Sequence, residues 1–70
     1  MKELIFEITE DDVTGGFVAR ALGCSIVTQG ETWERLCANV RGAVLHHFEA
    51  DEAPAVIRLH RVMEQLLVLA

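Results

Sequence analysis

Three histidines (His46, His47, His60), two cysteines (Cys24, Cys37) and an acidic run, Glu10-Asp11-Asp12, are the side chains of this 70-residue chain best suited to chemistry. Imidazole and thiolate bind zinc, but His46 and His47 are adjacent. Neighbours on a helix point about 100° apart and cannot grip one ion as an i, i+4 pair does. A reactive thiol needs a nearby base and an electropositive, partly exposed setting; Cys24 has only Gly23 and Ser25 beside it. Cys37 falls on an apolar stripe and reads as a small buried hydrophobe. The oxygens of Glu10-Asp11-Asp12 suit magnesium or calcium, yet their spacing is not that of a calcium loop, and a solvated turn is the plainer reading. Gly15-Gly16 precedes a strand rather than a helix, so it serves a chain reversal and not a phosphate cradle. No catalytic residue, metal-ligand set or cofactor site is expected.

The elements that carry these residues follow from periodicity. Leu4, Phe6 and Ile8 alternate with Glu3, Glu7 and Thr9, which predicts a strand over about 2–9 with one buried face. Residues 10–16 gather turn formers, so a hairpin leads into a second strand from Phe17 to Leu22. Gly23 breaks it, and Cys24 to Gln29 reads as a third strand, completing an antiparallel meander. A helix from Thr32 to about Glu49 places Trp33, Leu36, Cys37, Val40, Val44, His47 and Phe48 within one arc of roughly 100°, facing the sheet. Glu31 or Thr32 is its expected cap, with Glu34 able to reach back to Glu31 as in a capping box. Ala50 to Pro54 ends the helix. Val56, Ile57, Leu59 and Val62 then suggest a fourth strand; Met63-Glu64-Gln65 holds no strong turn residue, so Leu66-Leu67-Val68-Leu69 reads as a fifth strand, a continuation of the fourth or a short helix, with strand the preferred reading. The expectation is a single α+β domain over 1–70: a two-layer β-β-β-α-β(β) unit with a mostly antiparallel sheet and one covering helix.

Composition limits what such a unit does. For 7.8 kDa, surface scaling gives roughly 4,400 Å² when compact, and apolar burial returns on the order of 100 kcal/mol. Ordering the chain costs on the order of 105 kcal/mol, so the isolated domain stands near break-even. Yet 51% of the residues are hydrophobic and the mean hydropathy is +0.29. The surplus is expected to close in a homo-oligomer. Two segments are candidate contacts. One is the helix face opposite the core stripe, where Gly42 lies beside Ala38 and Leu45 and permits close backbone approach. The other is Leu66, Leu67, Val68 and Leu69, an apolar strand that would otherwise recruit partners at its edge. Eleven acids against six bases leave a formal charge of −5. Residues 1–31 hold six acids and two bases, residues 32–70 five and four. Such a balance repels nucleic-acid phosphates and suits a basic protein partner. Neither an N-terminal signal pattern nor an apolar run of membrane-spanning length occurs, and two cysteines without CxxC spacing fit reduced thiols. A cytoplasmic location without membrane contact is expected.

The run Leu22-Gly23-Cys24-Ser25-Ile26-Val27-Thr28-Gln29-Gly30-Glu31-Thr32-Trp33-Glu34, continuing through Asn39-Val40-Arg41 to Ala43-Val44, resembles the core signature of the HicB-like antitoxin family. Gly15-Gly16 and Phe17-Val18-Ala19 match that family's first hairpin, so the resemblance covers most of the chain. It implies a degenerate ribonuclease H-like domain of three antiparallel strands, a helix and a further strand. It also implies a domain that sequesters a small basic toxin cleaving RNA. A chain ending at Ala70 is expected to act without the C-terminal DNA-binding segment that full antitoxins carry.

The leading expectation is thus a non-enzymatic, oligomeric protein-interaction domain. The alternative is a residual metal-dependent hydrolase or nuclease of ribonuclease H-like descent. That chemistry needs carboxylates converging in the sheet, whereas Asp11, Asp12 and Asp51 fall in turns and the first strand offers only Glu3 and Glu7. Arg58 and Arg61 are the nearest approach to a basic patch. A mobility assay should therefore show no shift of duplex DNA or RNA by the purified chain; salt-dependent micromolar binding would contradict the charge argument.

Overall fold

In the computed structural model, which describes residues 2–70, five elements follow in the order β1 (Glu3–Glu10), β2 (Phe17–Ala21), β3 (Val27–Gly30), α1 (Trp33–His47) and β4 (Val56–Arg61). They form a four-stranded sheet in the order β3-β2-β1-β4. The first three strands are the antiparallel meander, and β4 returns parallel to β1, pairing Leu4 with Ile57 and Phe6 with Leu59. The α+β class and element order are those expected. The sheet is mixed, because the strand after the helix joins the β1 edge in the direction of β1.

Alternation on β1 does what its period demands. Leu4, Phe6 and Ile8 are buried on the inner face, while Glu3, Glu7 and Thr9 are exposed on the other. Opposite the bulky pair Phe6 and Ile8 stand Ala21 and Ala19 of β2, also buried. Small residues facing large ones leave room for Leu36, Val40 and Val44 of α1, which complete the core.

The hairpin between β1 and β2 is closed by main-chain bonds from Asp11 N–H to the Gly16 carbonyl (2.7 Å) and from Gly15 N–H to the Asp11 carbonyl (2.8 Å). Gly15, at φ +77°, takes the left-handed conformation that a side chain would disfavour. The third strand is shorter than its β-branched content predicts. Ala21 N–H bonds the Ile26 carbonyl at 2.9 Å, which makes Cys24 to Ile26 part of the connection; Ile26 is buried as a plug beneath it.

Thr32 is the helix cap: its Oγ1 accepts from Arg35 N–H at 3.1 Å, a bond that satisfies one of the orphan donors of the first turn. The capping box from Glu34 to Glu31 is not formed; Glu34 instead lies in the first turn, where the helix dipole favours an anion. The helix ends two residues before Glu49, with Phe48 N–H closing onto the Val44 carbonyl at 3.1 Å. His47 is exposed and Cys37 only half-buried, so the buried stripe is narrower than the expected arc. Trp33 is half-buried and meets Phe17 edge to face, with ring centroids 5.5 Å apart.

Gly30 decides where the helix lies. A Cβ there would stand 2.4 Å from Leu36 N and 2.6 Å from Leu36 Cα, so backbone meets backbone and only glycine fits. Gly42, by contrast, has nothing within 4 Å of its absent side chain. The two glycines should respond to alanine with opposite sign in chemical denaturation. Gly30→Ala should lose the fold or most of its stability, and Gly42→Ala should gain about 0.8–1 kcal/mol of helix propensity. Stabilisation by both, or loss in both, would contradict this packing.

Candidate functional site

Beyond β4 the chain does not form the fifth strand expected at Leu66 to Leu69. Val62 N–H still bonds the Ile8 carbonyl at 2.8 Å, but residues 62–70 are all exposed and lie outside any helix or strand. Leu66, Leu67, Val68 and Leu69 are 82%, 78%, 86% and 98% exposed. A strand exists only where a ladder partner satisfies its backbone groups. Among the described residues no strand lies beside this segment to supply them. It forms an arm: the molecule measures 55 × 20 × 18 Å with a radius of gyration of 14.0 Å, against about 11 Å for a compact chain of this length.

The other candidate contact, the outer face of α1, is where the helical period places it. Ala38, Gly42 and Leu45 are exposed, Leu45 by 66%, and with Cys37 and Arg41 they line a shallow depression. The structure thus separates the two predicted contact groups, one on the helix and one on the arm. Missing from the sequence reading was a third group where the arm begins. The Arg61 guanidinium lies 5.1 Å from the Phe17 ring centre and 5.3 Å from that of Trp33, in cation–π range of both. Three residues from three elements meet there, and spacing along the chain holds no trace of it.

A cleft of about 440 Å³ lies between the β1–β2 hairpin and the start of α1, with Asp11, Glu31, Arg35 and Asn39 among its lining residues. The Asp11 carboxylate is turned onto its own hairpin. Its Oδ1 accepts from Val13 N–H (2.9 Å) and Thr14 N–H (3.4 Å), and those bonds hold its pKa below the ordinary aspartate value. On the outer sheet face Glu3 takes two hydrogen bonds from Arg58, Nε at 2.9 Å and Nη2 at 3.1 Å. This fork lowers the Glu3 pKa and raises that of Arg58. Glu7, Glu10, Asp12 and Glu31 are exposed.

The histidines and cysteines stay apart. His46 and His47 are exposed at the end of α1, His60 is on β4 opposite Glu7, and both thiols are free and half-buried. Among the described residues no three His, Cys, Asp or Glu side chains come together as a metal-binding group. No helix of the described residues is long and apolar enough to cross a membrane.

Two relatives share this sequence at length. A UPF0150 protein of Thermotoga maritima is 35% identical over 63 residues, 90% of this chain and 87% of its own. One of Archaeoglobus fulgidus is 47% identical over 51 residues, 73% of this chain and 74% of its own. The chain belongs to the UPF0150 family. Any 51-residue stretch of 70 includes residues 20–51, so β3, Gly30 and α1 lie inside both UPF0150 matches. No family model matches the chain. No solved structure matches it either.

Both structurally engaged carboxylates have depressed pKa values, so their contribution to stability is present above the ordinary carboxylate range and is lost as pH falls through their lowered values. Urea midpoints should hold steady from pH 7 to 5 and decline below about pH 4. Glu3 is exposed and Asp11 partly so, and both are salt-screened, so the decline is modest. Glu3→Gln with Asp11→Asn should flatten part of it; an unaltered pH profile in that variant would contradict these assignments.

Proposed function

We propose that this UPF0150 chain is a non-enzymatic protein-interaction domain of the HicB antitoxin type, which self-associates and sequesters a small basic protein that cleaves RNA. One observation carries the reading: the arm 62–70 presents an apolar surface that the described residues do not cover, and such patches mark interaction sites. The partner's chemistry follows from charge. Glu10 and Asp12 at the hairpin and Glu31 before the helix form an exposed acidic end, and acidic patches steer and hold basic partners. The resemblance of Leu22–Glu34 and Asn39–Val44 to the HicB-like signature supplies the RNA-cleaving class of that partner.

The alternative, a metal-dependent nuclease, requires free carboxylates converging on a cation. Asp11 is held by its own turn and Glu3 by Arg58, which speaks against it.

The test is co-expression with the product of the neighbouring gene, which this reading expects to be a small basic protein. The expected result is a stoichiometric complex that weakens as salt rises and that blocks RNA cleavage. Glu10→Lys with Asp12→Lys, both exposed and without a side-chain bond in the fold, should loosen it at least tenfold. RNA cleavage that continues at saturating concentrations of this chain would overturn the proposal.

A further inference from the structure

Of the two sheet edges, one is partly covered and one is open. On β3, Asn39 Nδ2 donates to the Gln29 carbonyl at 2.7 Å and the first turn of α1 presses on Gly30, so the helix blunts that edge. On β4 one side bonds β1 and the other faces no element among the described residues. The strand has no proline between Val56 and Arg61 to blunt it. Its inner side chains, Ile57 and Leu59, are only half-buried, because α1 packs over β3 and β2. From this same strand the apolar arm departs, with Glu64 as its one charged side chain. An arm with a single charge offers a basic protein little and scarcely repels another acidic chain.

We infer that a second copy occupies this edge: the arms of two copies exchange, each running antiparallel along the other's β4 about a twofold axis at Met63. The inference rests on the reading of the chain as a self-associating interaction domain and names how it does so. The area supports it. The described surface is 5646 Å² against roughly 4,400 Å² for a compact protein of this mass. The excess, taken from both copies, comes to about 2,500 Å², more than the ~1,200–2,000 Å² of ordinary stable interfaces.

The register follows from side-chain alternation. Directly opposed residues in an antiparallel pair share a face. An axis at Met63 sets Ile57 opposite Leu69, Leu59 opposite Leu67, and Arg61 opposite Gln65, apolar with apolar and polar with polar. An axis at Val62 would set Gln65 against Leu59. An axis at Glu64 would set Leu67 against Arg61. With the Met63 axis, the leucines of each arm extend the uncovered inner face of the other copy's β4.

Light scattering on the full chain should give twice the 7.8 kDa chain mass. Leu67→Asp with Leu69→Asp should give a monomer that keeps its helical circular dichroism. In a Cys24→Ser, Cys37→Ser background, Met63→Cys should cross-link to itself under mild oxidation, since opposed Cα atoms lie about 4.5–5.5 Å apart. Gln65→Cys should not, its two copies being about 13 Å apart along the ribbon. A monomeric full chain would overturn both this inference and the self-association beneath it. A dimer that survives the two aspartates would overturn arm exchange alone, as would a polydisperse assembly. Equal cross-linking at 63 and 65 would overturn the register. Should the aspartate variant unfold, the cross-link comparison decides.

Discussion

Where Gly30 meets the first turn of α1, two backbones come closer than any side chain would allow. That contact draws the helix toward the β3 edge of the sheet. Leu36, Val40 and Val44 then cover Phe6, Ile8, Ala19 and Ala21. A helix of 15 residues so placed does not extend over β4, and Ile57 and Leu59 are left half-open on the inner face. The arm follows from the same geometry, for a segment running straight on from the uncovered strand finds no helix to lie under and, with no turn at residues 62–70, does not fold back onto the open edge of its own β4.

The acidic residues divide into two populations. Glu3 and Asp11 are engaged in holding the fold, one in a fork with Arg58 and the other in the hairpin turn. Glu7, Glu10, Asp12 and Glu31 are free at the surface, where they set the field that a partner meets. Carboxylates used in the first way are poor ligands for a catalytic cation, and those used in the second act at longer range than a bond. That division is what the proposed reading as a protein-interaction domain builds on.

Much of the fold was legible in the residues. The alternation of Leu4, Phe6 and Ile8 gave the buried face of β1, the 3.6-residue period gave Leu36, Val40 and Val44, and Thr32 was a recognisable cap. Three features were not. Parallel pairing of β4 with β1 leaves no mark on periodicity, because either direction buries the same alternate residues. Gly30 showed no sign of its role, since what it must avoid belongs to a helix turn reached only in the folded chain. Leu66 to Leu69 has the composition of a strand, but composition does not say which chain supplies the ladder. Of the candidate contacts, the helix group of Ala38, Gly42 and Leu45 stands exposed as its period requires. The Arg61, Phe17 and Trp33 cluster was invisible because its members are far apart in sequence.

The central claim is that the arm is a strand whose partner lies in another copy, and backbone hydrogen exchange addresses it directly. In the full chain at concentrations where it self-associates, the amides of residues 64–69 should exchange slowly, as ladder amides do, and become fast on dilution to monomer. Fast exchange across 64–69 at every concentration would mean that no strand forms there and would contradict the account.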